Sequence, residues 1–232
     1  MSQSEQLDCA LRAIDDANRE DPNREQVGND LLPREYAYSQ HMTRWLFELE
    51  PAPTERMQIA CRAQHIERWT MPRKDYPEGR KGYYEWRQAC GRMHGRRASE
   101  IMAACGYPQE ECDRVETILT KRELRKDADT QLLEDVACMV FLERYFADFY
   151  EEKAEYDREK WLRIVRRTWG KMSPRGHEAA LKLASDLPEH LLALLQEALA
   201  EPEVEGVQRP GGGSDKSVLG HDLPAGLSKL PS

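Results

Sequence analysis

The chain has 232 residues, is 40% hydrophobic and 33% charged, and carries a formal net charge of −8. That length supports one good core or at most two small domains, and the acidic balance argues against general nucleic-acid binding. No apolar run approaches the roughly 20 residues of a membrane span, and the opening MSQSEQLDCALRAIDDANRED lacks a basic n-region and an apolar h-region, so a cytoplasmic location off the membrane is expected.

Valine, isoleucine and threonine number eight, six and seven. No alternating run of such residues is bounded by turns, so no strand is predicted. Helical spacing recurs instead. Leu7, Leu11, Ile14 and Ala17 make a first apolar stripe. Pro33 opens a second helix from a first-turn position, where its missing N–H costs nothing. That helix carries Tyr38, Met42, Trp45, Leu46 and Leu49 and ends at Glu50-Pro51. Thr54 caps a third, running to about Arg68 with Met57, Ala60, Cys61 and Gln64 on one face. Residues 70–82, TMPRKDYPEGRKG, hold two prolines, two glycines and six charges and form a loop that can line a site.

A long helix spans Tyr83 to Cys105, closed by Gly106. The next starts at Tyr107-Pro108 and turns Cys112, Val115, Ile118 and Leu119 inward. The stretch from Thr130 to Tyr150 is apolar on more than half its circumference and belongs at the centre. A helix from Arg158 to Trp169 and two short ones after Ser173-Pro174 and Leu187-Pro188 complete the domain. The fold class is therefore all-α, with a single helical domain over residues 1–200. Residues 201–232, rich in Pro, Gly and Ser, are expected to be a disordered tail.

The six cysteines (9, 61, 90, 105, 112, 138) show no C-x-x-C pair, so neither a zinc ribbon nor a disulfide framework is expected. Charge is unevenly spread. Between Arg62 and Arg97 ten Lys or Arg face four acids, whereas from Glu134 to Lys160 nine acids face four bases. A basic segment inside an acidic protein suits a local phosphate or carboxylate site, or a solvated face paired with the acidic segment.

Three histidines sit within amphipathic helices. His41 shares a stripe with Ala37, Tyr38 and Trp45, His65 shares a face with Cys61, and His94 lines up with Cys90, Ala98 and Ile101. Asp135 lies in the apolar run LLEDVACMV, where a carboxylate must be paired, hydrogen-bonded or metal-bound. Neutral imidazoles and a carboxylate from separate helices suit a divalent metal ion; satisfied core histidines and an Asp135–Arg ion pair are the alternatives. Trp69, Arg73, Tyr76, Arg80, Tyr83, Tyr84, Trp86 and Arg87 lie close together beside His65. Such residues can stack a base and clamp a phosphate, or pack a loop with snorkelling arginines. Glu-x-x-His pairs, a P-loop, G-x-S-x-G and H-E-x-x-H are all absent. Cys61, one turn from His65, is a candidate thiol but reads as core.

The run HGRRASEIMAACGYPQEECDRVETILTKR from His94 to Arg122, followed by LEDVACMVFLERYF, resembles the second half of the HD superfamily of metal-dependent phosphohydrolases. The resemblance implies an HD-like helical bundle in which His41, His65 and Asp135 bind the metal and His94 is a further ligand or catalytic base. Position 66 is Ile where that superfamily carries the Asp of its His-Asp doublet. Lys121 stands where some branches have another His, and it suits a substrate phosphate. Over residues 5 to 200 the chain is similar to the family of domain of unknown function 4202, through AQHIERWTMPR, YPEGRKGYYEWR, LEDVACMVFLE and TWGKMS.

These readings converge on a metal-dependent phosphohydrolase of HD-like type acting on a nucleotide-like or phosphorylated small molecule. His94 and Lys121 would be catalytic, with Arg62, Arg73, Tyr84, Arg87 and Gln131 binding substrate. The alternative is a non-catalytic, nucleotide- or anion-binding regulatory module that has lost the metal centre.

Overall fold

The computed structural model of the chain describes residues 3–200, so the expected tail lies outside the described residues. Among the described residues there are ten α-helices: α1 (Gln3–Arg19), α2 (Arg34–Leu49), α3 (Glu55–Arg62), α4 (Gly79–Ala104), α5 (Gln109–Thr120), α6 (Ala128–Val140), α7 (Phe146–Glu152), α8 (Arg158–Trp169), α9 (Pro174–Leu183) and α10 (Glu189–Ala200). Among these residues no helix is long and apolar enough to cross a membrane.

A strand was not expected, yet one antiparallel hairpin precedes α2: β1 (Arg24–Val27) pairs with β2 (Asp30–Pro33), Val27 opposite Asp30. Its two-residue loop is Gly28-Asn29, with Gly28 at φ 61, a Gly-Asn turn that closes tight hairpins. Pro33 ends β2 and serves as the N-cap of α2 rather than as its first-turn residue. The third helix is also shorter than its pattern predicts. It stops at Arg62, and residues 63–67 turn back on themselves, so His65 sits in a turn instead of on a helix.

The centre is α6, where every residue from Leu132 to Val140 is buried. It contacts α2, α3, α5 and α9. Its continuation as far as Glu152 is interrupted by a π-helical turn, Phe141–Tyr145, so the long apolar run is one rod with an extra residue inserted. Phe146 and Phe149 then pack edge-on against Trp161 of α8. Helices α4 and α5 form a close hairpin. A Cβ on Gly95 would lie 2.9 Å from the Glu116 side chain and 3.1 Å from its carbonyl oxygen, so glycine is what lets these helices approach.

The cysteines are not all reduced: Cys9 and Cys105 form a disulfide that ties α1 to the end of α4. Their pairing follows from packing of α1 on α4, which a 96-residue separation conceals. Cys61, Cys90, Cys112 and Cys138 are buried free thiols.

Candidate functional site

The enclosure of α6 places two adjacent carboxylates in the interior, and they do different work. Asp135 is structural. Its oxygens accept from the Ser173 backbone N–H (2.8 Å), the Ser173 hydroxyl and Gln131 Nε2 (3.1 Å). Ser173 Oγ in turn accepts from the Gly176 N–H and caps α9. A Cβ on Gly176 would lie 2.9 Å from Asp135 Oδ1, so that glycine admits the carboxylate to the helix start. Both carboxylate oxygens are engaged by these bonds.

Glu134 faces cations. Lys121 Nζ donates to its Oε2 at 2.7 Å and Lys171 Nζ lies 3.7 Å from its Oε1. The Lys121 and Lys171 side chains are each only 8% exposed and that of Glu134 only 4%. Burial would raise the Glu134 carboxyl, but Lys121, Lys171 and Arg87 overcome it and hold the group well below the usual carboxylate range. Each lysine is placed by local structure. Lys121 is the left-handed C-cap of α5 at φ 54, a conformation that costs a non-glycine residue energy and so marks a constrained position. Lys171 lies in the turn between α8 and α9, its carbonyl held by Gln131 Nε2 at 2.8 Å.

Two histidines adjoin these cations. His65 stacks on Tyr38 of α2, with ring centroids 4.1 Å apart and planes 10° apart, and lies 5.9 Å from the His94 ring. Arg68 Nη1 donates to His65 Nε2 at 2.6 Å, which puts the ring proton on Nδ1, 3.3 Å from Glu35 Oε2. Burial, then Arg68 and His94, keep His65 neutral by lowering its pKa well below the usual value. Burial pushes Glu35 up to about 8, with Arg68 opposing. With the His65 ring neutral, the Glu35–His65 contact is not an ion pair.

His94 is enclosed on α4. Its Nδ1 donates to the Ile66 carbonyl at 2.8 Å, whereas Nε2 is buried and has no hydrogen-bond partner among the described residues. Burial, followed by the charge of Arg68, depresses its pKa to about 3, with smaller contributions from Arg87 and Lys121. The π-helical turn borders this group too: Tyr145 sits 6.2 Å from the Tyr38 ring and donates to Glu25 of β1 at 3.0 Å.

Of the residues singled out from sequence, the structure brings together His65, His94, Lys121 and Arg87, and Gln131 supports the cluster through the Lys171 carbonyl. The others have separate partners. His41 sits beside Arg144, Arg44 and Glu143 and is lowered to about 4, chiefly by burial. Arg62 bonds Asp15 on α1, Arg73 bonds the Tyr76 and Gly79 carbonyls, and Tyr84 accepts from Arg80. Burial holds the Cys61 thiol protonated.

The metal ligand set implied by the HD resemblance is not assembled. Among the described residues no three His, Cys, Asp or Glu side chains are grouped to hold a metal ion, and both oxygens of Asp135 are already bonded. Sequence reasoning missed Glu134, Lys171, Arg68, Glu35 and Tyr38. Glu134 carried the same signal as Asp135, an acid in an apolar helix, and Lys171 lies in the TWGKMS motif.

Fold and site define a helical protein built around an interior cationic cluster with one ionised carboxylate at its centre. The chain belongs to the family described as Domain of unknown function (DUF4202), which it matches over residues 8–195. No curated protein and no solved structure matches it.

Proposed function

We propose that the chain binds a phosphorylated small molecule at the Lys121–Lys171–Arg87 cluster, as a metal-independent anion site. One observation carries the reading: two enclosed ammoniums and a guanidinium act on a single carboxylate. Three cations act on Glu134, while the adjacent Asp135 carboxylate is taken up by Ser173 and Gln131, so positive charge exceeds negative around Glu134 in a water-poor interior. Such a surplus is costly unless matched, and a phosphate monoester dianion matches it in charge and offers oxygens to all three donors. The HD-like kinship belongs to this proposal as well. It rests on the order His41, His65, His94 and Asp135 along the chain, of which only His65 and His94 join the cluster.

A melting screen tests the reading. Inorganic phosphate and nucleotides, at constant ionic strength with chloride as control, should raise Tm in the wild type and not in the Lys121→Met, Lys171→Met double variant. A ligand at about 100 times its Kd adds about 2.7 kcal/mol. Equal Tm in phosphate and chloride would leave the proposal without support.

A hydrolytic activity at the same site is the second reading. The observation favouring it is the unpartnered Nε2 of His94, an acceptor beside the cations that would hold phosphate.

A further inference from the structure

Five histidines lie among the described residues; His190 is exposed beside Tyr150, and the other four differ in what their ring nitrogens do. His177 gives Nε2 to the Trp169 carbonyl at 2.9 Å and stacks on that indole. His65 has Nε2 occupied by Arg68 and Nδ1 turned to Glu35. His41 leaves Nε2 unpartnered, but among the described residues no hydrogen bond fixes its tautomer, and its neighbours are Arg44, Arg144 and Glu143. His94 alone of these combines three properties. The 2.8 Å bond from Nδ1 to the Ile66 carbonyl fixes the proton there. The lone pair therefore lies on Nε2, which is enclosed and makes no hydrogen bond among the described residues. The charges of Arg68, Arg87 and Lys121 act on that ring. An imidazole with one nitrogen anchored and the other bare is an oriented nucleophile, and a shell of cations stabilises charge on a transferring phosphoryl group.

We propose that His94 accepts a phosphoryl group on Nε2 from an acyl phosphate bound at the Lys121–Lys171–Arg87 cluster. This rests on the anion-site reading above. In the first step the Nε2 lone pair attacks phosphorus, the N–P bond forms, and the P–O bond to the acyl group breaks with its electron pair leaving on a carboxylate. Nδ1 keeps its proton, and the bond to the Ile66 carbonyl bears the positive charge that develops on the ring. In the second step water attacks phosphorus, the N–P electron pair returns to Nε2, and both water protons leave on dihydrogen phosphate. An acyl phosphate is the donor class that asks least of the site. Its leaving carboxylate needs no proton, so a cluster of cations and neutral imidazoles suffices without an acid.

The test incubates the full chain with radiolabelled acetyl phosphate, quenches in alkali and maps the label by tandem mass spectrometry. The expected result is one acid-labile, alkali-stable phosphoryl group on His94, absent from His94→Asn and present in His41→Gln. His94→Asn keeps an amide donor for the Ile66 carbonyl, and its melting curve checks that it folds. Mapping on the wild type decides the matter even if that variant does not fold. No label, or label on another residue, overturns the covalent step; if inorganic phosphate still raises Tm, the anion site itself stands. Absence of both label and phosphate stabilisation overturns both proposals.

Discussion

Replacing Glu134 by Gln removes the one carboxylate that Lys121 and Lys171 share. At 2.7 and 3.7 Å each contact is worth roughly 4–6 kcal/mol of Coulomb energy at an effective dielectric constant of about 20. Desolvation offsets much of this, and stranding buried partners typically costs about 3–5 kcal/mol net. For a domain of this size that lowers Tm by roughly 6–20 °C. Lys121→Met differs in kind. It leaves Glu134 with Lys171 and Arg87 and reduces the positive surplus, so its cost should stay within about 1 kcal/mol. Chemical denaturation of both variants, with m-values compared, measures the asymmetry. Phosphate should stabilise E134Q more than the wild type, since the variant carries a larger surplus. Equal losses for E134Q and K121M would mean a balanced one-to-one pair, and the charge argument would fail.

Asp135→Ala should cost about 2–3 kcal/mol, because it strands the Ser173 and Gln131 donors and loosens the cap of α9; a loss under about 0.5 kcal/mol would contradict the bonding described. His41, His65 and His94 all have folded pKa values below the ordinary 6.5, so below that pH the unfolded chain takes up protons first. Stability should therefore fall as pH drops below 6.5, by up to about 1.4 kcal/mol per pH unit for each histidine, and His94→Asn should flatten the slope of Tm against pH. Glu35 acts oppositely. With its folded pKa pushed up to about 8 from 4.5, the unfolded chain loses that proton first, stability falls as pH rises between those values, and Glu35→Gln should remove this component. Reducing Cys9–Cys105, which closes a long loop, should cost about 2–4 kcal/mol, read as a lower urea midpoint with dithiothreitol.

Local periodicity was enough to recover most helices. The eighth runs from Arg158 to Trp169 as its stripe predicts, and Gly106 closes the fourth at φ 85. The hairpin escaped because its four-residue strands have too little β-branched content, although Gly28-Asn29 carried the turn signal. The turn at 63–67 escaped because Ala63, Gln64 and Ile66 continue a helical pattern while being buried by tertiary contacts. At the site, chain order suggested that His41 and Asp135 would join His65, but order does not fix which way side chains turn. Asp135 turns to Ser173 and its neighbour Glu134 to the lysines. On a helix enclosed all round, apolar context predicts burial of both acids without saying which one meets the cations.

Calorimetric titration of inorganic phosphate into the wild-type chain and into the Lys121→Met, Lys171→Met double variant addresses the charge surplus most directly. One saturable site in the wild type, lost in the folded variant, is the expected outcome. No binding heat in the wild type, or an unchanged isotherm in the variant, would contradict the account.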